Sequence, residues 1–359
     1  MLPALSAVLD RLDAAVERAA VGRYWTAIAT VSAYTAAING AWDVPTHQTR
    51  HLAQTFFTPG ARTGAYFERD LLLPLLANTL HATSEGVFET LCLGILIGGL
   101  IWLARGLKHL VAPATAFLLF AVIVSHPVVT VLLSWLGMPD VFTFAACVVA
   151  LLTASPAVLA ITASVAIVNH PHAMFALPMI TGLRWLAGDR TGGAHLAALA
   201  LGLAAGMATV VLLMAYWGIA PDSRISYVVN VGLDGWIAQN ASVAPIAIWS
   251  MHGGVWPAVF VAAVAMWPTR PRYVMGFVAV AILSCALAFF SHDTTRILSL
   301  LTWAPAAHLV LTFSRDGRAP LNRVLLVLTL LALASPRLYV WEGRVVPSPF
   351  GRALQLMRR

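Results

Sequence analysis

From residue 194 to residue 218 the chain reads "AHLAALALGLAAGMATVVLLMAYWG", with no aspartate, glutamate, lysine or arginine. As a helix, that run is long enough to cross the roughly 30 Å hydrocarbon core of a bilayer. It is one of many. The sequence of 359 residues is 60% hydrophobic and only 10% charged, and its mean hydropathy is +0.82. A water-soluble domain could not hide that much apolar surface, whereas lipid solvates it. The expected fold is all-α, a polytopic transmembrane helical bundle.

Further apolar runs near 25–42, 86–104, 110–126, 141–154, 156–169, 173–187, 243–267, 273–290, 297–313 and 324–340 bring the expected number to about eleven spans. The segment 128–137, "VVTVLLSWLG", is too short to cross and fits a half-helix. Residues 1–24 mix Asp10, Asp13 and Glu17 with Arg11, Arg18 and Arg23. That pattern fits an amphipathic surface helix on the cytoplasmic side rather than a cleaved signal. The expected organisation is a surface helix over 1–24, a bundle over 25–340 and a C-terminal tail over 341–359. Cys92, Cys147 and Cys285 each sit in an apolar run, which argues against a disulfide framework and a cysteine-based metal site.

The net charge of +7 does not mark a nucleic-acid surface, because the arginines are scattered over short loops. With the N-terminus in the cytoplasm, Arg105, Lys108, Arg184, Arg190, Arg270, Arg272, Arg315, Arg318 and Arg323 fall on the inner side, as the positive-inside bias requires. The opposite loops then receive Asp43, the 43–85 segment, His126, Asp140, "NHPH" at 169–172, "SHDTTR" at 291–296 and the tail. A site on the outer face of the membrane is the expectation.

Asp43 stands where the first span leaves the membrane. A carboxylate there can cap loose backbone donors, or serve as a base at the mouth of the bundle, which is the role expected of it. Residues 51–56 fit a short interfacial helix, and "ERDLLLPLLA" starts another, with Glu68, Arg69 and Asp70 at its head. Glu68, Asp70 and, further on, Asp140 suit the positive end of a helix dipole. Arg69 and Arg296 lie on the outer side against the usual bias, and buried arginine is expensive unless paired. Asp293 and Arg296 are three apart and share a helix face, so they can form an ion pair. Alternatively, the guanidinium fork can clamp a phosphate, with His292 as a further donor. His170 and His172 could hold a metal, but no third ligand of the same set is visible. Hydrogen bonding or anion contact is their expected role. No metal site and no cofactor is assigned, although a divalent metal is allowed. His252 and His308 stand in apolar runs as packing histidines.

The carboxylate after the first span, the interfacial helix and "RDLLLPLLA" resemble the first outer loop of integral-membrane glycosyltransferases of the GT-C type. "GMPDVFTF", "NHPHAMFALP" and "HDTTRILSL" are similar to outer-edge motifs of bacterial members. The resemblance implies transfer of a sugar from a polyprenyl-phosphate donor to a glycan or lipid-linked acceptor, among membrane lipids and with no nucleic acid. It implies Asp43 as base, and Arg69 and Arg296, with His292, as contacts to the donor phosphate. One departure is plain: the second acid common in that loop is missing, since none follows Asp43 before Glu68. A polysaccharide polymerase or ligase, and a flippase or transporter of lipid-linked glycans, are the alternatives.

Overall fold

The structure is a computed structural model that describes residues 2–39, 47–58, 69–189, 192–218, 224–316, 321–335 and 338–347. Asp43 and Glu68 lie outside them. Two helices open the chain, α1 (Leu2–Gly22) and α2 (Tyr24–Asn39), followed by the short α3 (His47–Thr55) and α4 (Leu72–Thr79). Next come α5 (Glu85–Leu110), α6 (Pro113–Val124), α7 (Pro127–Ser134), α8 (Asp140–Leu152), α9 (Pro156–Asn169) and α10 (Ala173–Leu186). The second half holds α11 (Gly193–Tyr216), α12 (Arg224–Asn240), α13 (Ala244–His252), α14 (Trp256–Met266), α15 (Pro271–Phe289), α16 (Thr294–Asp316) and α17 (Leu321–Ala334).

The helical bundle is as expected, but the number of spans is only partly recovered. Among the described residues, five stretches are long and apolar enough to cross a membrane: α5, α11, the run Ala244–Met266, α15 and α16. The pair α6 and α7, bent by 55°, makes a sixth if counted as one broken span. That bend matches the half-helix expected over 128–137, because His126 precedes Pro127 and cannot continue α6. Shorter apolar helices occur at α8, α9, α10 and within α17. A helix of 14 residues reaches only about 21 Å, so length alone does not establish eleven full crossings.

The last expected span is corrected. Apolar residues run on from α17 towards 340, but Leu338–Trp341 and Arg344–Pro347 form an antiparallel hairpin of two strands, β1 and β2. Its turn residues Glu342 and Gly343 both have positive φ, at 50° and 68°, the geometry of a two-residue hairpin turn. A hydrophobic run does not distinguish a short strand from the end of a helix; the Glu-Gly pair between two β-rich tetrads does.

α16 is the axis of the bundle. In its apolar window 94% of residues are buried, against 22% for α11 and 33% for α5, which present apolar side chains outward. Trp303 of α16 stacks on Phe144 of α8 at 4.5 Å between ring centroids. α11 lies backbone-close on α9 through Gly202 and Gly206, where an added Cβ would strike the Ala160 and Ser164 carbonyls.

The two ends of α16 carry different polar groups. His308 and Arg315 meet Asp189, which follows α10, at 3.1 and 3.6 Å, and Arg184 Nε donates to the same carboxylate at 3.4 Å. Tyr273 bonds the other nitrogen of His308 at 2.8 Å, so this histidine is satisfied, as expected. Burial alone would raise the Asp189 pKa, but the His308 hydrogen bond and the arginine charges overcome it and hold it at about 2. A depressed folded pKa stabilises above the unfolded value near 3.8 and is lost as pH falls through about 2. Asp189→Asn is therefore expected to cost about 2 kcal/mol at pH 7 and progressively less from pH 4 downward. Melting of detergent-solubilised protein across that range checks it; an equal loss at pH 7 and pH 3 would contradict it.

Candidate functional site

At the other end of α16, four segments far apart in sequence meet, three of them tied by bonds to backbone carbonyls. α9 stops at His170, whose extended conformation (φ −160°, ψ 135°) is what a residue before proline adopts. Pro171 and His172 then turn the chain into α10, so His170 and His172 sit on the connection between two helices. Asn169 Nδ2 donates to the Pro139 carbonyl at 2.8 Å, pinning the turn before α8. Leu71 N donates to the Val168 carbonyl at 3.1 Å, pinning the segment before α4. The "SHDTTR" stretch is closed by Ser291 Oγ, which accepts from Asp293 N at 3.1 Å.

This scaffold brings together Asp70, Asp140, His170, His172, Asp293 and Arg296. Arg296 Nε and Nη2 donate to the two oxygens of Asp140 at 2.5 and 3.2 Å, and Nη1 donates to Asp293 Oδ2 at 3.1 Å. Only 7% of the Arg296 side chain and 1% of the Asp140 side chain are exposed. The guanidinium also lies over the Trp135 ring, 4.9 Å from its centroid, a cation–π contact. Trp135 in turn donates its indole N–H to Tyr339 Oη at 2.7 Å. His170 Nδ1 bonds the Asp70 carboxylate at 2.6 Å, and His170 Nε2 meets His172 Nδ1 at 2.8 Å. Asp140, His170 and His172 each present a nitrogen or oxygen atom within 4.8 Å of the others.

The sequence candidates therefore separate. The ion pair of Asp293 and Arg296 is present, and Arg296 has in addition the larger partnership with Asp140, 156 residues away. Asp140 stands in the first turn of α8, as expected of a helix-dipole acid, while also bonding Arg296. Asp70 is a histidine partner before α4. Arg69 lines two cavities, one of about 440 Å³ with Pro171, His172, Met174 and Ser291, the other of about 400 Å³ with Met174, Met207 and Val211. His292 is set apart from the six: its ring bonds Tyr227 Oη and leans on Trp236, with 5.3 Å between ring centroids. Its backbone carbonyl accepts from Glu342 N of the hairpin at 2.8 Å. His252, expected to be a satisfied packing histidine, bonds His126 at 3.0 Å through Nδ1, while its Nε2 has no hydrogen-bond partner.

Sequence reasoning missed Trp135 and Tyr339. Both lay in segments read for their apolarity, and only the hairpin signal at 338–347 marks Tyr339 as something other than helix. Chemically, the cluster combines acceptors, two imidazoles able to pass or hold a proton and one fixed cation, against an apolar chamber with Arg69 on its wall. No protein-family model, no curated protein and no solved structure matches the chain.

Proposed function

We propose that the protein is a membrane glycosyltransferase that moves a sugar from a polyprenyl-phosphate donor to a cell-envelope or surface glycan acceptor. The observation that carries this reading is the position of Arg69, on the wall of two mainly apolar cavities and beside the cluster of carboxylates and histidines. A lipid phosphate needs a cation for its head and an apolar channel for its chain, and Arg69 with Met174, Met207 and Val211 offers both. The sugar would then project towards His172, which lines the neighbouring chamber. In this reading Arg69 is the phosphate contact, Asp43 is the base implied by the family resemblance, and Arg296 positions Asp140 and Asp293.

The same reading takes the bundle as crossing a bacterial inner membrane about eleven times, with the N-terminus cytoplasmic and the cluster at the outer face. The basic residues of the Asp189 end, Arg184 and Arg315, support that orientation. An impermeant thiol reagent should label Thr58→Cys but not Asp316→Cys in intact cells; the reverse would overturn the orientation. The activity is tested with purified protein in nanodiscs and a panel of polyprenyl-phosphate sugars, reading the transferred product by mass. Movement of a lipid-linked glycan across proteoliposomes without any transfer would replace the enzyme with a flippase.

A further inference from the structure

We infer that Asp140, His170 and His172 form a binding site for one divalent transition-metal ion of the zinc type. The two imidazole nitrogens and the carboxylate come from α8 and from the connection between α9 and α10, and lie within 4.8 Å of one another. Two histidines and one carboxylate are a recurrent ligand set for such ions, leaving a further position open. Of the three ligands, His172 also lines the wall of the 440 Å³ cavity.

The surroundings of the ligands carry the inference further than their proximity. A metal-binding histidine ordinarily donates its second nitrogen to a carboxylate, which fixes the tautomer and aims the lone pair of the first. Asp70 does this for His170: it accepts from Nδ1 at 2.6 Å, leaving Nε2 as the nitrogen that faces His172. Arg296 does the equivalent for Asp140, bonding both oxygens, and each oxygen keeps a second lone pair for an ion.

Charge points the same way. Among the described residues the cluster holds three carboxylates, of which Asp140 and Asp293 bond the Arg296 guanidinium and Asp70 bonds His170, so that with Arg69 at its edge one negative charge stays uncompensated if both imidazoles are neutral. Two acceptor oxygens on adjoining residues, Asn169 Oδ1 and Asp293 Oδ1, are buried without a hydrogen-bond partner. A buried surplus of acceptors and negative charge is what a cation relieves. The rival occupant is a proton, shared between His170 and His172 and balanced by Asp70.

The inference deepens the proposed function by placing a cation where His172 meets the cavity, and it rests on that reading only for the ion's use, not for its binding. The test is Co²⁺ titration of full-length protein stripped by chelator and carrying no polyhistidine tag, together with elemental analysis of unstripped protein. One equivalent of metal and visible d–d absorption on Co²⁺ binding are expected. His172→Ala should abolish the spectrum, and Asp70→Asn should weaken affinity about 10- to 100-fold while leaving the ligand set intact. Absence of retained metal, together with no Co²⁺ spectrum in monodisperse wild-type protein, would overturn the site in favour of the shared proton, and this result needs no variant to fold. Metal binding without sugar transfer would overturn the proposed activity and leave the site standing.

Discussion

Arg296→Ala is expected to yield protein that unfolds or aggregates on mild detergent extraction. The substitution removes a guanidinium that bonds Asp140 through two nitrogens and Asp293 through a third, leaving both carboxylates without it. Breaking one side of a buried ion pair costs about 3–5 kcal/mol, against a whole-domain stability on the order of 5–15 kcal/mol. Arg296→Lys should recover only part of the loss, because an ammonium keeps the charge but lacks the planar fork that spans two oxygens. The double substitution Asp140→Asn with Arg296→Met should be milder than Arg296→Ala alone, since it removes the orphaned charge along with its partner. Thermal melting and size-exclusion profiles of the three variants in one detergent measure the order. A wild-type melting temperature for Arg296→Ala would remove the structural role given to this pair.

Kinetics should divide Asp43 from Arg69. If Asp43 is the base, Asp43→Asn lowers turnover by about 10²–10⁴-fold and leaves the donor constant close to that of the wild type. If Arg69 contacts the donor phosphate in both ground and transition states, Arg69→Ala raises the donor KM as well as lowering kcat. Steady-state assays with one defined polyprenyl-phosphate sugar separate the two. Wild-type turnover in Asp43→Asn would remove the base role from Asp43. An unchanged donor KM in Arg69→Ala would detach the cavity from the lipid phosphate.

Much of the bundle was legible because its signal is one-dimensional. An uncharged apolar run such as 194–218 has few fates in water, and α11 occupies nearly all of it. The bend after residue 126 was likewise readable from Pro127 and the shortness of the following segment. The site was legible as a set of motifs but not as a set of pairs. "GMPD", "NHPH", "RDLLLP" and "HDTTR" all supply residues to one cluster, yet Arg296 finds Asp140 across 156 positions. Spacing rules reach only three or four residues along a helix, which is why Asp293 was visible as a partner of Arg296 and Asp140 was not. Asp70 and Asp140 looked like ordinary helix-start acids because they stand just before or within a first turn; their buried partners come from other segments.

The hairpin has a bearing on the order in which this protein is made. Tyr339 accepts from Trp135, on which Arg296 lies, and Val340 N donates to Thr295 Oγ1 at 2.8 Å. These contacts come from residues that follow every helix described, so a ribosome releases them after α16 and its neighbours have been threaded. Until then the Trp135 indole N–H lacks its phenolic acceptor and the start of α16 lacks its cover. A chain halted after Ala334 would hold all six clustered side chains and still be missing the clasp over Trp135 and Thr295, so the site is finished only when the hairpin has been made.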